Sequence, residues 1–580
     1  MTFNLSAVPA FQPQPLLPGW RSDLAPPVVF AFTGLILAAG VMPGFHWHDT
    51  AEFGAVASRL SLSHPPGHPL HALTTRAVLE LPLGDLAFRA NVASSVCLAF
   101  ALSVFARVLG VLAPGLSWFE RFVFASWPVV FPVVFLQGIR AEVYALNLLV
   151  TLGVAYCAVE LRPLEGGRFF VALALLVGLG LGNHSLLIAA LAPIVVWRAA
   201  RAKLRLRAWL LALAAGLLGA ASYVYLPLRA SAGADVGWGR PETLAAFVDT
   251  VLARDWHKNL ASAGSTGLDL WENALGITGL LAAQPGLAVA TGAALLFGWV
   301  LLRRPGTRAR IAALALSGAC LLATRFFYPF DENNPDLGGY FAPVLFAWVG
   351  TAAVAFAELA PRVRPVLSLL LLLAAAVSVA DVDPGQRRGS RAAEVLSNTL
   401  FDEVPPRGVL VAADYSTWFQ SWAQHDFAGA RPDVAVLFRG RVEQAWHISR
   451  VSSVHPEVAA LMSTFPASFD RPGIRFENGV EWARLGALAA RLRPAGLTLA
   501  LHGPTKLPPA APPVPTTDVD TRWTQTFRFA LLAEHCLNSV PKDALCARKA
   551  IAAARAYLPA VGDEWLDALE AALTAALPPE

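Results

Sequence analysis

RFFVALALLVGLGLGNHSLLIAALAPIVVWRAARAKLRLR, residues Arg168–Arg207, sets the topology of the whole chain. Its apolar run is too long for one crossing, since about 20 residues already span a bilayer. The segment Gly178–His184, GLGLGNH, reads as a break, which gives two helices over 169–183 and 185–198. A basic stretch follows, with Arg198, Arg201, Lys203, Arg205 and Arg207. Working outward, further apolar blocks lie at 27–42, 88–107, 121–137, 143–160, 208–227, 284–302, 309–326, 340–359 and 364–380. The spans then number about eleven.

Arginine and lysine collect on the cytoplasmic side of membrane proteins. Arg162 and Arg168 bracket one loop, Arg303, Arg304, Arg308 and Arg310 fill another, and Arg362 and Arg364 a third. All of these share a face with the loop at 198–207 only if 169–183 and 185–198 are separate helices. This places the N-terminus in the cytoplasm and the C-terminus in the periplasm, with the protein in the inner membrane. Composition agrees: 580 residues are 56% hydrophobic and only 15% charged, with mean hydropathy +0.52. A soluble chain carries about a quarter charged residues. Long apolar blocks rather than alternating strands argue for helices and against a barrel. No small-residue cleavage site follows the first block, so it reads as a retained helix. No nucleic-acid partner is expected.

The chain divides into a Pro-rich cytoplasmic leader (1–26), a membrane domain (27–380) with outer loops at 43–87, 228–283 and 327–339, and a soluble remainder. In that remainder GVLVAAD (Gly408–Asp414) reads as a buried strand ending in an acid. STWFQSWAQHDFAGA reads as a helix and RPDVAVLF as a second strand, a β-α-β unit. This predicts a periplasmic α/β domain over 381–500, a Pro-rich linker at 501–522 and a helical region at 523–580. Cys536 and Cys546 lie ten positions apart and can close a disulfide in an oxidising compartment. The alternative is two free thiols on successive helices.

Ionisable residues are sparse in the spans but crowd the outer loops. They include Asp49, Glu52, Arg59, His64, His68, Arg140, Glu142, Arg229, Asp235, Arg240, Asp255, His257, Lys258, Asp331, Glu332 and Asp336, with Trp238 among them. The first loop carries HDTAEFGAVASRLSLSHPPGHPLHAL, His48–Leu73. If 49–62 is helical, Asp49 and Glu52 share a face and Arg59 can extend the stripe. Asp49 as a plain N-cap is the bland alternative. SHPPGHP must end the helix, because prolines remove donors and bias their predecessors to extended geometry. The result is helix, turn, helix on the membrane surface. Five of the twelve histidines fall between His46 and His71, yet their spacing matches no zinc signature. No metal or other cofactor is expected, although a labile divalent ion on Asp49 or Glu52 is the alternative.

These motifs carry a resemblance. DTAEF, LSLSHPPGHPLHAL and LPLGDLAFRANVASS are similar in order and content to the bacterial protein O-mannosyltransferase-like family, whose animal relatives include an endoplasmic-reticulum O-mannosyltransferase. IRAEVYALN (Ile139–Asn147), the stretch Tyr225–Asp255 and VLVAADYSTWFQSWAQHDFAGARPDVAVL also fit. Coverage is about residues 27–440. Two positions depart from the family: His48 stands where a glycine is usual, and His68 where an aromatic is usual.

The resemblance implies a GT-C glycosyltransferase fold and a lipid-phosphate sugar donor. It implies Asp49 as the principal catalytic carboxylate and Glu52 as its helper. Chemically, transfer to a hydroxyl needs a base at the acceptor oxygen and cations at the departing phosphate. Arg140, Arg229 and Arg240 are the phosphate candidates, each with a local ion pair as the alternative. Trp238 can stack on a sugar or anchor at the interface. His64, His68, Arg59 and Glu142 complete the candidate substrate-binding set. The expected partners are a polyprenyl-phosphate sugar donor, a protein or glycan acceptor, and the bilayer. A transporter or flippase of lipid-linked sugars is the competing reading, but transport paths generally need ionisable groups at mid-depth. A non-enzymatic scaffold would leave the acidic first loop without a purpose.

Overall fold

The computed structural model describes residues 23–160, 166–234, 237–255, 270–286, 305–326, 330, 334–426, 429–462, 467–477, 488, 491–503, 505–506, 519–538, 543–557 and 564–576. Most of the leader, most of the helix expected at 284–302, most of the Pro-rich linker, and Asp235, His257, Lys258, Asp331 and Glu332 lie outside these residues.

Five described helices are long and apolar enough to cross a membrane: Leu86–Leu112, Gly167–Ala189, Leu206–Ser231, Asp336–Ala357 and Arg364–Val382. A sixth candidate is the pair Trp118–Val130 and Pro132–Ile139, bent by 78°. The bend falls at Phe131, held extended at φ −81°, ψ 120° by the proline that follows it. Ala25–Gly40, Val143–Val159 and Ala312–Phe326 are shorter apolar helices.

The glycine-rich stretch behaves differently from the break expected there. Gly166–Ala189 runs through it with one non-helical residue, His184 (φ −152°, ψ 90°). The chain separates only before Ala192–Arg201, which starts on a proline. The glycines serve close packing instead. A Cβ on Gly178 would stand 2.1 Å from the Gly216 carbonyl oxygen, and one on Gly219 would stand 2.6 Å from that of Leu175. Small residues of this kind let membrane helices approach backbone to backbone.

The soluble part holds a five-stranded sheet. β1 (Val409–Ala412), β2 (Ala435–Phe438), β3 (Ile474–Glu477), β4 (Arg493–Pro494) and β5 (Thr498–Ala500) are arranged in the order β2-β1-β3-β5-β4. β1 pairs parallel to both β2 and β3, and Tyr415–Asp426 is the crossover helix, so the expected β-α-β unit is present. Helices Val519–Asn538, Ala544–Tyr557 and Glu564–Ala576 follow, and Cys536 and Cys546 form a disulfide. Sheet and helices share one apolar core, which includes Leu410, Phe476, Phe529 and Ile551. Trp47, from the first loop of the membrane part, is buried in that same core.

Candidate active site

After the first helix, the loop is threaded between two supports. On the membrane side, Asn91 Nδ2 donates to the carbonyls of Met42 (2.9 Å) and Gly44 (3.0 Å), while its Oδ1 accepts from the Ala141 amide at 2.7 Å. One side chain thus fixes the first loop against the turn at 138–142. On the soluble side, Glu394 Oε1 accepts from the Phe45 amide at 3.1 Å. Ser416 Oγ accepts from His48 N–H at 2.8 Å, and Gln420 Nε2 donates to the His46 carbonyl at 3.3 Å.

Asp49 follows at the N-cap of helix Thr50–Arg59, yet its carboxylate caps no backbone N–H. It is 29% exposed and faces His64, whose Nε2 lies 3.7 Å from Asp49 Oδ2. Glu52, one turn on, is fully buried. Its Oε1 accepts from the His64 amide at 2.6 Å, and its Oε2 lies 2.5 Å from His64 Nδ1. The chain returns to make this contact because the helix stops at Leu60, in the left-handed region, and the turn around Gly67 (φ 95°) leads into helix Pro69–Leu79.

The electrostatics follow from this packing. Burial pushes the Asp49 carboxyl up to about 6; His64 opposes this, while Asp336 and Glu52 add to it. Burial disfavours charge on His64, but Glu52 and Asp49 overcome it and raise the imidazole to about 10. Burial and the neighbouring His64 hold His68 low, and burial alone brings His71 down to about 4. The site is therefore an imidazolium between two carboxylates, the inner one sealed and the outer one open. One ligand atom from each of Asp49, Glu52 and His64 lies within 4.8 Å of the others, so this trio is also the set that could hold a divalent ion.

The other sequence candidates fall in distinct places. Arg140 is fully buried, with Nη2 2.6 Å from Asp336 Oδ1 and Nη1 3.3 Å from Glu142 Oε1. Burial would raise the Asp336 carboxyl, but Arg140 pulls it down, whereas burial and Asp336 together raise Glu142. Arg229 donates to the carbonyls of Leu60 and Arg59 at the end of helix Thr50–Arg59. Arg240 is half-exposed, 3.8 Å from Glu242. Arg59 is exposed. His68 Nδ1 meets the Asn183 carbonyl. Trp238 is buried; its amide donates to the Leu62 carbonyl at 3.0 Å, and its ring stacks on Tyr415 at 5.6 Å. Asn91, Ser94 and Asp336 carry positioning contacts that the sequence reading assigned to no role. Ser94 Oγ accepts from the Glu142 amide at 3.2 Å. Asn91 and Ser94 lie within LPLGDLAFRANVASS, and Asp336 was present only as one outer-loop acid among several.

Comparison with known proteins agrees with this arrangement. Residues 49–208, beginning at Asp49 itself, match the family model described as protein O-mannosyl-transferase TMEM260 N-terminal domain. No curated protein matches the sequence. Among solved structures, ArnT from Cupriavidus metallidurans bound to undecaprenyl phosphate superimposes with a TM-score of 0.51 at 13% identity, covering 79% of this chain and 94% of that one. The oligosaccharyltransferase of Archaeoglobus fulgidus, in complex with Zn and sulfate, shows a looser likeness: TM-score 0.45, 11% identity, 80% of this chain and 71% of that one. By the family of its residues 49–208 and by its fold, the chain belongs with the protein O-mannosyl-transferase-like members of the GT-C membrane glycosyltransferases.

Proposed function

We propose that this enzyme moves a sugar, expected to be mannose, from a polyprenyl-phosphate donor to a hydroxyl of a protein or glycan acceptor on the periplasmic face. The observation that carries this reading is the half-open Asp49 carboxylate, set against a buried Glu52–His64 pair. A base for a hydroxyl needs an open oxygen and an affinity for protons near the working pH. Burial supplies the second at Asp49. In the proposed mechanism Asp49 takes the acceptor proton as the acceptor oxygen attacks the anomeric carbon, and the lipid phosphate departs with the bonding electrons. Glu52 does not react; it fixes His64, which orients Asp49. A multi-pass topology of eleven spans, with residues 381–580 periplasmic, puts Asp49, Glu142, Asp336 and the soluble part on one face.

The test is transfer from radiolabelled polyprenyl-phosphate mannose to a mixed acceptor pool by the purified protein in detergent. Asp49→Asn is expected to lower the rate by at least about 100-fold with its melting temperature retained, since the amide cannot take the proton. Near-normal turnover by this variant removes Asp49 from the mechanism. Metal is a separate question. A divalent ion on Asp49, Glu52 and His64 would need a neutral imidazole, and the ion pair with Glu52 favours the cation. Activity is therefore expected to persist in EDTA. Loss restored by magnesium or manganese overturns that expectation.

A further inference from the structure

The donor phosphate needs a cation, and the three arginines first considered for it are engaged elsewhere. Arg140 pairs with Asp336 and Glu142, Arg229 holds backbone carbonyls, and Arg240 faces Glu242. A different cationic group stands beside the site. Arg325 lies in the last turn of helix Pro305–Phe326, with its guanidinium 4.9 Å from the centre of the Tyr340 ring. Tyr340 in turn meets His184 at 5.3 Å and Tyr144 at 5.3 Å.

His184 is the one non-helical residue inside Gly166–Ala189. Its side chain is 94% buried by residue exposure of 6%, and its Nδ1 has no hydrogen-bond partner among the described residues. A buried polar atom left in that state costs free energy unless a ligand satisfies it. Close packing at this point is secured by Gly339, where a Cβ would stand 2.1 Å from the Tyr144 ring.

Two routes connect this cluster to Asp49. Asp336 and Tyr340 are four residues apart on one helix, which sets their side chains about 5–6 Å apart on one face. Asp336 is close enough to Asp49 to raise its carboxyl. Separately, His184 contacts His68 at 5.8 Å, and His68 contacts His64 at 5.1 Å.

We propose that Arg325, His184 and Tyr340 form the subsite for the phosphate of an isoprenoid-phosphate donor, with its sugar directed toward Asp49. Stacking on Tyr340 uses the face of the guanidinium, whereas phosphate is bound through its N–H edge. The imidazole and phenol add two further hydrogen-bonding groups. The sources of cation and of base are thus separate: the arginine comes from one membrane helix and the carboxylate from the first outer loop. The inference rests on the transferase reading above and adds the residues that hold the donor.

The experiment is native mass spectrometry of the detergent-solubilised protein with undecaprenyl phosphate as probe, repeated with phosphatidylglycerol as competitor. The wild type is expected to bind the probe, Asp49→Asn to bind it equally, and Arg325→Gln and His184→Gln to bind at least tenfold more weakly. Arg325→Lys, which keeps charge and bulk, guards against misfolding and should weaken binding less than Arg325→Gln. Wild-type binding that is unchanged in Arg325→Gln, Arg325→Lys and His184→Gln overturns the subsite and leaves the transferase reading standing. Displacement of the probe by equimolar phosphatidylglycerol also overturns it, because the site would then hold any lipid phosphate. A wild type that binds no undecaprenyl phosphate overturns the transferase reading, and the subsite with it.

Discussion

Each half of the molecule buries a glutamate behind a cation, with an aspartate on the open side. In the membrane half these are Glu52, His64 and Asp49; in the soluble half they are Glu477, Arg528 and Asp414. The geometry is alike. Glu52 is 0% and Glu477 1% exposed, and the outer aspartates sit 3.7 and 3.9 Å from their cations. The outcomes are opposite. Burial raises both aspartates, but at Asp414 the Arg528 and His48 charges and the hydrogen bonds of Ser416 prevail, and its carboxyl is held low. At Asp49 the carboxylates of Asp336 and Glu52 reinforce burial, and its carboxyl rises to about 6. A cation behind an acid does not by itself decide whether that acid can act as a base. The remaining charges around it decide.

The largest expected effect comes from removing either cation. Breaking a buried pair by deleting one partner costs about 3–5 kcal/mol. His64→Gln and Arg528→Gln should both lose stability on that scale, measured by denaturation in detergent. The two should then part with pH. The His64 imidazole is raised from 6.5 to about 10, so its contribution is complete below about pH 6.5 and is lost as pH rises through about 10. Wild type should lose stability across that window and His64→Gln should not. The same slope in both would break the comparison.

Next in size is the acid limb of transfer. If Asp49 is the base, kcat/KM should fall below about pH 6, roughly tenfold per unit. Asp414→Asn should leave that limb in place. A limb that moves with Asp414 would mean that the soluble aspartate, not Asp49, controls the proton.

The smallest effects should come from the two arginines around Trp238. Arg229 holds the last carbonyls of helix Thr50–Arg59, so Arg229→Ala should cost about 1 kcal/mol. Arg240 forms an exposed pair, worth less than about 1 kcal/mol. Neither change should raise the apparent KM for the lipid donor. A raised KM without a change in melting temperature would return them to the phosphate.

Much of this was legible in the sequence. Apolar block length marked the helices, and the run of consecutive prolines required the turn that brings His64 back to Glu52. GVLVAAD and RPDVAVLF announced the parallel pair β1 and β2. What could not be read was partnership over long separations. Whether Arg140 meets a phosphate or Asp336 depends on two residues 196 positions apart. Gly178 read as a helix break because a sequence does not show that Gly216 lies against it. His184 looked like part of a break for the same reason: its ring neighbours, His68, Tyr144 and Tyr340, come from three other segments.

Trp47 gives the architecture a practical consequence. Its indole is inserted in the core of the soluble half, with Arg528 6.0 Å from its ring centre, two residues before Asp49. The two halves are therefore not interchangeable cassettes. A chimera that keeps residues 1–380 and borrows everything after them from a relative would have to inherit a socket shaped for this indole. Without it, the loop bearing Asp49 would lose its anchor even though every membrane helix remained native. Grafting Trp47 together with its socket is the minimum transplant that should carry function across.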